Sequence, residues 1–304
     1  MYSLSTCWNS HRHTDGRAML REIRDLGFEY AELSHGTRIS LLPGIIEAVG
    51  AGEIKISSVH NFCPLPIGVT HSAPNLYMFS DERPRQRELA ERHTRKTIEF
   101  AARVGAPVIV LHLGCIDMKE YTHKLEDMVG RGEKDSPKYA RLCDEVNQQR
   151  EAKKKRHVPL VYECLRKLLP EVEKLGIRFG IENREALEEL PLDSDFHELF
   201  RELNHPSLAY WHDTGHAQIK ENLGFIHHAF HVESMRERLF GFHIHDVQFP
   251  GRDHCAPGSG MIDFAALKPM VKPEHVKVFE FSPTLTVEQV QSGVAHVKGL
   301  WGEG

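Results

Sequence analysis

Short hydrophobic runs rich in β-branched and aromatic residues recur along the chain, and amphipathic segments separate them. The runs cover residues 2–6, 28–34, 54–60, 107–114, 177–183, 207–213, 239–246 and 275–282. The segments between them have the period of a helix; in one of them Leu89, Ile98 and Ala101 share a face. A strand followed by a helix, repeated eight times, is typical of a closed parallel barrel. We therefore predict an α/β fold of the (β/α)8 TIM-barrel class.

The chain contains no linker rich in Pro, Gly or Ser, so the pattern predicts a single domain over residues 1–304. The longest connections follow the third and fourth runs, which indicates insertions at 61–80 and 115–157 on the face where barrel strands end. The first insertion is aromatic and proline-rich and could wall a substrate pocket. The second is highly charged and is predicted to form a lid and an extended helix. Either insertion could instead form a subunit contact in a homo-oligomer.

Composition narrows the classes of partner. The chain carries 38 Lys+Arg and 43 Asp+Glu, a formal net charge of -5, so it lacks the positive field that binds a polyanion, and we expect no nucleic-acid partner. The longest apolar runs are far shorter than the roughly 20 residues of a membrane helix, so we expect no membrane partner. The six cysteines show no CxxC spacing. Together with the polar start of the chain, this favours a cytoplasmic location.

Most of the predicted strands end on a residue that can bind a metal or transfer a proton. These residues are Glu32, His60, His112, Glu182, Asp213, His243, His245 and Glu280. A charged side chain inside a buried parallel strand is costly, so this set fits the open C-terminal ends, where barrel active sites lie. A lone histidine is more often a hydrogen-bonded core residue, and a hydrogen-bonded plug without chemistry is the alternative for the whole set. Carboxylates and imidazoles without thiolates favour one divalent cation: Mn²⁺, Zn²⁺, Co²⁺ or Mg²⁺.

Five motifs add a resemblance to this pattern: "GIEN", "WHDTGHA", "GFHIHD", "GRDHCAPGSGMIDF" and "VFEFSP". With them the chain resembles the sugar phosphate isomerase/epimerase family of xylose isomerase-like barrels, which also includes the zinc-dependent apurinic endonucleases. The resemblance implies a metal site made of Glu182, Asp213, His243 and Glu280, with His245 as the alternative to His243. It implies substrate contacts at His216 and His254, with Arg252 beside them. We add His60, His112 and His245 to the predicted substrate-binding residues.

The activity implied by the resemblance is a metal-dependent isomerase or epimerase of carbohydrate metabolism. Glu182 and Glu280 would remove and return a proton next to a carbonyl through an enediolate. One alternative is a lyase or dehydratase of the keto-inositol or dehydroshikimate type, which uses the same enolate. The other is a zinc-dependent nuclease, whose first-zinc residues His60, His112 and Glu182 match. For either activity, these three residues could hold a second cation. Against the nuclease, Arg252 stands where a third zinc site needs an Asp, and Asp253 could replace that Asp only through a register shift.

Overall fold

The computed structural model describes residues 1–303, and its central feature is a closed barrel of eight parallel strands. The barrel strands are β1 (Tyr2–Ser5), β2 (Tyr30–Leu33), β3 (Lys55–His60), β4 (Val108–Leu111), β5 (Arg178–Glu182), β6 (Leu208–Asp213), β7 (Leu239–Ile244) and β10 (Val276–Phe279). Each predicted run contains one of them, and β1 pairs with both β10 and β2, which closes the barrel. The prediction of a (β/α)8 TIM barrel is confirmed. Two short strands, β8 (Asp246–Gln248) and β9 (Arg252–Cys255), form an antiparallel hairpin outside the barrel.

Helices connect the strands. They are α1 (Gly16–Asp25), α2 (Leu42–Gly50), α3 (Pro84–Val104), α4 (Thr122–Gly130), α5 (Pro137–Lys174), α6 (Phe196–Glu202), α7 (Thr214–Leu223), α8 (His228–Met235), α9 (Phe264–Leu267) and α10 (Val287–Trp301). Gly105 ends α3 in the left-handed conformation with φ of 70°, which lets the chain turn back into β4. Within residues 1–303, none of the helices combines the length and the hydropathy that crossing a bilayer requires.

An apolar cluster lies inside the barrel, below the ends of its strands. Val108, Val110, Val276 and Val278 pack there around the ring of Trp211. Gly241 leaves room for this ring, because a Cβ atom at position 241 would lie 2.3 Å from Cζ3 of Trp211. Trp211 and the valines thus form an apolar floor, and the polar side chains at the strand ends lie above it.

The two insertions after β3 and β4 lie where the sequence pattern predicts them. Residues 61–80 contain no helix or strand. The second insertion contains α4 and the first half of α5, which is the predicted extended helix. Glu188, in the loop after β5, accepts hydrogen bonds from Tyr121 N and Thr122 Oγ1, both at 2.6 Å. The start of α4 is therefore tied to the loop that follows Glu182.

Candidate metal centre

Four side chains from four barrel strands converge above the floor. Glu182 and Asp213 end β5 and β6, His243 lies near the end of β7, and Glu280 follows β10. All four are buried, and one donor atom from each lies within 4.8 Å of the others. Nδ1 of His243 is 2.5 Å from Glu182 Oε1, 3.2 Å from Glu280 Oε2 and 3.9 Å from Asp213 Oδ2. The structure therefore brings together the four residues predicted as metal ligands.

The side chains of this cluster shift one another's pKa. Burial by itself would lower the pKa of His243, but Glu280, Glu32 and Glu182 raise this pKa well above its ordinary value. Burial by itself would raise the pKa of Glu182, but His243 and Arg184 hold this pKa well below its ordinary value. The Glu182 carboxylate and the His243 ring therefore stabilise each other's charged form.

The second ring nitrogen of His243 is held by Glu32. His243 Nε2 donates to Glu32 Oε2 at 3.0 Å, and the same oxygen accepts from Ser58 Oγ at 2.7 Å. Both Glu32 and His243 are fully buried. Because Glu32 holds Nε2, Nδ1 is the ring nitrogen that faces the three carboxylates of the cluster. Metal-binding histidines commonly donate their second ring N–H to a carboxylate, and Glu32 is placed to accept it here.

The D-T-G-H motif after β6 builds the environment of Asp213. The backbone N–H of His254 donates to Nδ1 of His245 at 2.9 Å, so Nε2 of His245 carries the proton and donates to Asp213 at 3.0 Å. Asp213 also accepts from the backbone N–H of His216 at the start of α7. A Cβ atom on Gly215 would lie 2.0 Å from Cε1 of His245, which explains the glycine in the motif. His245 thus orients Asp213, and His243 is the histidine that faces the cluster.

A second group of histidines lies on the other side of Glu182. His112 Nε2 is 2.7 Å and His60 Nε2 is 3.7 Å from Glu182 Oε2. Burial and the nearby Arg184 lower the pKa of His112 to about 3, so this ring is neutral. His35 follows β2 and packs its ring against that of His60, with 4.6 Å between the ring centroids. The sequence interpretation missed His35, which lies beyond the end of its strand.

Arg184 is a charged residue of this site that the sequence interpretation also missed. Its Nη1 donates to Glu182 Oε2 at 2.6 Å, and its Nε donates to Glu189 Oε1 at 3.1 Å. Arg184 is only 6% exposed. A signal was available, because Arg184 directly follows the "GIEN" motif and stands two residues after Glu182.

The predicted substrate-binding residues near the β8–β9 hairpin divide into two groups. His216, His245 and His254 place their ring nitrogens within 4.8 Å of one another. Arg252 is exposed, and its Nη1 lies 3.4 Å from Gln248 Oε1, apart from the cluster. Asp253, by contrast, lies within 4.8 Å of donor atoms of His216 and Glu185. The inference that the position of the third zinc site has no carboxylate, because Arg252 stands there, is therefore wrong: Asp253 supplies one.

Asp246 accepts hydrogen bonds from the glycine-rich loop that follows Arg252, Asp253 and His254. Its Oδ2 accepts from the backbone N–H groups of Gly258 and Gly260, both at 2.9 Å, and its Oδ1 accepts from Ile262 N at 3.0 Å. The residue stands three positions after His243 in the H-x-x-D motif. The motif thus connects the strand that carries His243 to the glycine-rich loop.

The donor set fits a divalent cation. Three carboxylates and one neutral imidazole nitrogen are ligands that suit Mn²⁺, Co²⁺, Zn²⁺ or Mg²⁺, and no thiol is among them. Within residues 1–303 the six cysteines are free, and none belongs to a group of converging metal-binding donors. A bound cation would replace the proton on Nδ1 of His243, since a metal ligand must present its lone pair.

Comparison with known proteins agrees with this architecture. A family model described as a xylose isomerase-like TIM barrel matches residues 20–281. No curated protein matches the chain significantly. The structure of a D-tagatose 3-epimerase-like protein has a TM-score of 0.69 at 17% identity and covers 98% of this chain and 96% of its own.

Two further solved structures are similar over their whole length. The 3-keto-D-glucoside 4-epimerase of E. coli has a TM-score of 0.65 at 15% identity, with 98% of both chains covered. A D-psicose 3-epimerase from Clostridium cellulolyticum H10, solved with D-tagatose, has a TM-score of 0.70 at 13% identity, with 99% of both chains covered. At identities this low, the structural similarity establishes a common fold and nothing more.

Proposed function

Because the chain belongs to the xylose isomerase-like TIM barrel family, we propose that it is a divalent-metal-dependent isomerase or epimerase of a sugar or sugar phosphate. The observation that carries the proposal is the placement of Glu182 and Glu280. Both carboxylates approach Nδ1 of His243, at 2.5 and 3.2 Å, so two potential proton carriers share one cation site. The similar solved structures named as sugar epimerases support the same class of substrate.

The residues of the site have separate tasks in this reaction. A divalent cation held by Glu182, Asp213, His243 and Glu280 supplies polarisation of the substrate's carbonyl and hydroxyl oxygens when bound. One of the two glutamates removes the proton next to the carbonyl, and the other returns it. Return on the opposite face gives an epimer, and return on the neighbouring carbon gives an isomer. His60, His112, His216 and His254 surround this space and orient substrate hydroxyl groups. His245, predicted as a further substrate contact, instead orients Asp213, because Asp213 and the backbone N–H of His254 engage both of its ring nitrogens. Arg252 remains a predicted contact for a phosphate.

Hydrogen exchange tests the role of the two glutamates. Ketoses, sugar phosphates and keto-inositols are first screened with Mn²⁺ or Co²⁺, and the substrate that turns over is then incubated with enzyme in D₂O. Deuterium should appear on the carbon next to the carbonyl. Glu280→Gln keeps an oxygen ligand and removes the base, so exchange should fall by about 10²–10⁴-fold while the metal stays bound. Glu182→Gln should behave similarly, and a dehydrated product in the same spectra would assign the lyase activity instead.

A matched control is Glu91→Gln. Glu91 is a buried glutamate of α3 that pairs with Lys167 at 2.9 Å, outside the site. Its exchange rate should equal that of the unmodified protein. If Glu182→Gln and Glu280→Gln both kept wild-type exchange with metal bound, the two glutamates would be ligands only and the proposed mechanism would be wrong.

A zinc-dependent nuclease is the second candidate, and the position of Asp253 beside His216 and Glu185 favours it. Cleavage of an abasic-site oligonucleotide with Zn²⁺ tests it directly. The proposed sugar activity predicts no cleavage, since the chain carries a net charge of -5 and offers little attraction to a polyanion. Efficient cleavage that disappears in Asp253→Asn and His216→Ala would establish the nuclease.

A further inference from the structure

The two oxygens of the Glu182 carboxylate face different partners. Oε1 is 2.5 Å from His243 Nδ1 and belongs to the four-residue cluster. Oε2 faces Arg184 Nη1 at 2.6 Å, His112 Nε2 at 2.7 Å and His60 Nε2 at 3.7 Å. Any second cation held by His60, His112 and Glu182 would have to bind through Oε2, and that oxygen is the one to which Arg184 donates.

The guanidinium of Arg184 is charged and buried. A guanidinium does not lose its proton in proteins, so it remains a cation in any state of the site. It is only 6% exposed, and in such a place repulsion between like charges is screened far less than at the surface. A divalent cation bound to Oε2 would lie against this group and be repelled.

Several hydrogen bonds hold Arg184 in this position. Glu189 Oε1 accepts from Arg184 Nε at 3.1 Å and from Asn75 Nδ2 at 2.9 Å. The other oxygen of Glu189 accepts from the backbone N–H of Ala186 at 3.1 Å. The first insertion, which contains Asn75, and the loop after β5 therefore fix the guanidinium from the side away from Glu182. Its planar shape makes it well suited to two carboxylates at once.

We propose that Arg184 occupies the position of a second cation and limits the site to one divalent ion, bound by Glu182, Asp213, His243 and Glu280. The inference rests on the proposed function only in assuming that these four residues bind metal. Its consequence concerns the class of reaction. Sites with two metals clamp both the attacking and the leaving oxygen of a displacement. A site with one divalent cation and a guanidinium can still catalyse proton transfer at carbon, but it lacks the second metal of a displacement reaction. Arg184 is then the residue that decides between proton transfer and displacement.

Metal stoichiometry is the direct test, because it needs no substrate. Protein stripped with a chelator is titrated with Co²⁺, followed by isothermal calorimetry and by the cobalt absorption spectrum. The unmodified protein and Arg184→Lys, which keeps the charge, should bind one equivalent. Arg184→Gln should bind two, and the double variant Arg184→Gln with His112→Ala should return to one. Two equivalents in the unmodified protein, or one in a folded Arg184→Gln, would overturn the proposal.

A single variant in the wild-type background covers the case in which Arg184→Gln does not fold. His112→Ala should still bind one Co²⁺, because His112 lies outside the four-residue cluster. Loss of that equivalent would place the only cation at His60, His112 and Glu182 and would contradict the proposal. The outcome is separate from that of the sugar screen. A protein without epimerase activity that still changes from one to two equivalents in Arg184→Gln would refute the proposed function and support the role of Arg184.

Discussion

Replacing Glu32 by Gln should weaken metal binding although Glu32 is not a ligand. The carboxylate receives the Nε2 proton of His243 at 3.0 Å, and both residues are fully buried, so water cannot replace this contact. A hydrogen bond to a charged group contributes about 1.5–3 kcal/mol and a neutral one about 0.5–1.5 kcal/mol. The amide of Gln keeps the bond but loses the charge. The metal-binding free energy should therefore fall by about 1–2 kcal/mol, and Kd should rise about 5–30-fold.

The assay is a competition titration of Mn²⁺ or Co²⁺ against a chelator, with a thermal melt to show that the variant is folded. The matched control is Ser58→Ala, which removes the 2.7 Å bond from Ser58 Oγ to Glu32 and leaves the carboxylate in place. It should change Kd by less than about threefold, since the carboxylate charge that faces His243 Nε2 is kept. A folded Glu32→Gln with unchanged Kd would refute the reasoning that Glu32 tunes His243.

Two further predictions concern stability. Gly215→Ala should destabilise the protein by about 1–3 kcal/mol and weaken metal binding, because the new methyl group would displace His245 from Asp213. The control is Gly299→Ala, at an exposed position of α10 where nothing lies within 4 Å of the new Cβ atom. It should stabilise the protein by about 0.5–1 kcal/mol in the same denaturation assay. A destabilised Gly299→Ala, or a Gly215→Ala equal to wild type, would contradict this. His231 is buried beside Asp193, and burial lowers its pKa to about 4. Below pH 6.5 the unfolded state therefore takes up a proton that the folded state does not. The free energy of unfolding should fall by up to about 3 kcal/mol between pH 6.5 and 4. Chemical denaturation across this range should show a shallower pH dependence in His231→Gln, and an unchanged slope would exclude His231 as the cause.

The barrel and its four converging side chains were predictable from the order of residues. Parallel strands that alternate with helices put all their C-terminal ends on one edge, so Glu182, Asp213 and Glu280 had to meet there once each was recognised at the end of its strand. The choice of His243 over His245 depended on the resemblance. The structure supports it, because His245 Nε2 donates to Asp213 while His243 Nδ1 faces the cluster.

Only the tertiary structure decided which charged groups stand behind and beside these residues. Glu32 and His243 belong to β2 and β7, which β1 and β10 separate in the barrel, so their hydrogen bond crosses the interior and depends on the width of the closed barrel. The β8–β9 hairpin brings Asp253 close to His216, whereas the resemblance had placed Arg252 at this position. Arg184 lies beyond the end of β5, and its hydrogen bond to Glu182 Oε2 depends on Glu189 and Asn75, which come from separate loops. Periodicity is a local property of the chain and determines strands and their ends, whereas contacts between distant segments arise only when the barrel closes.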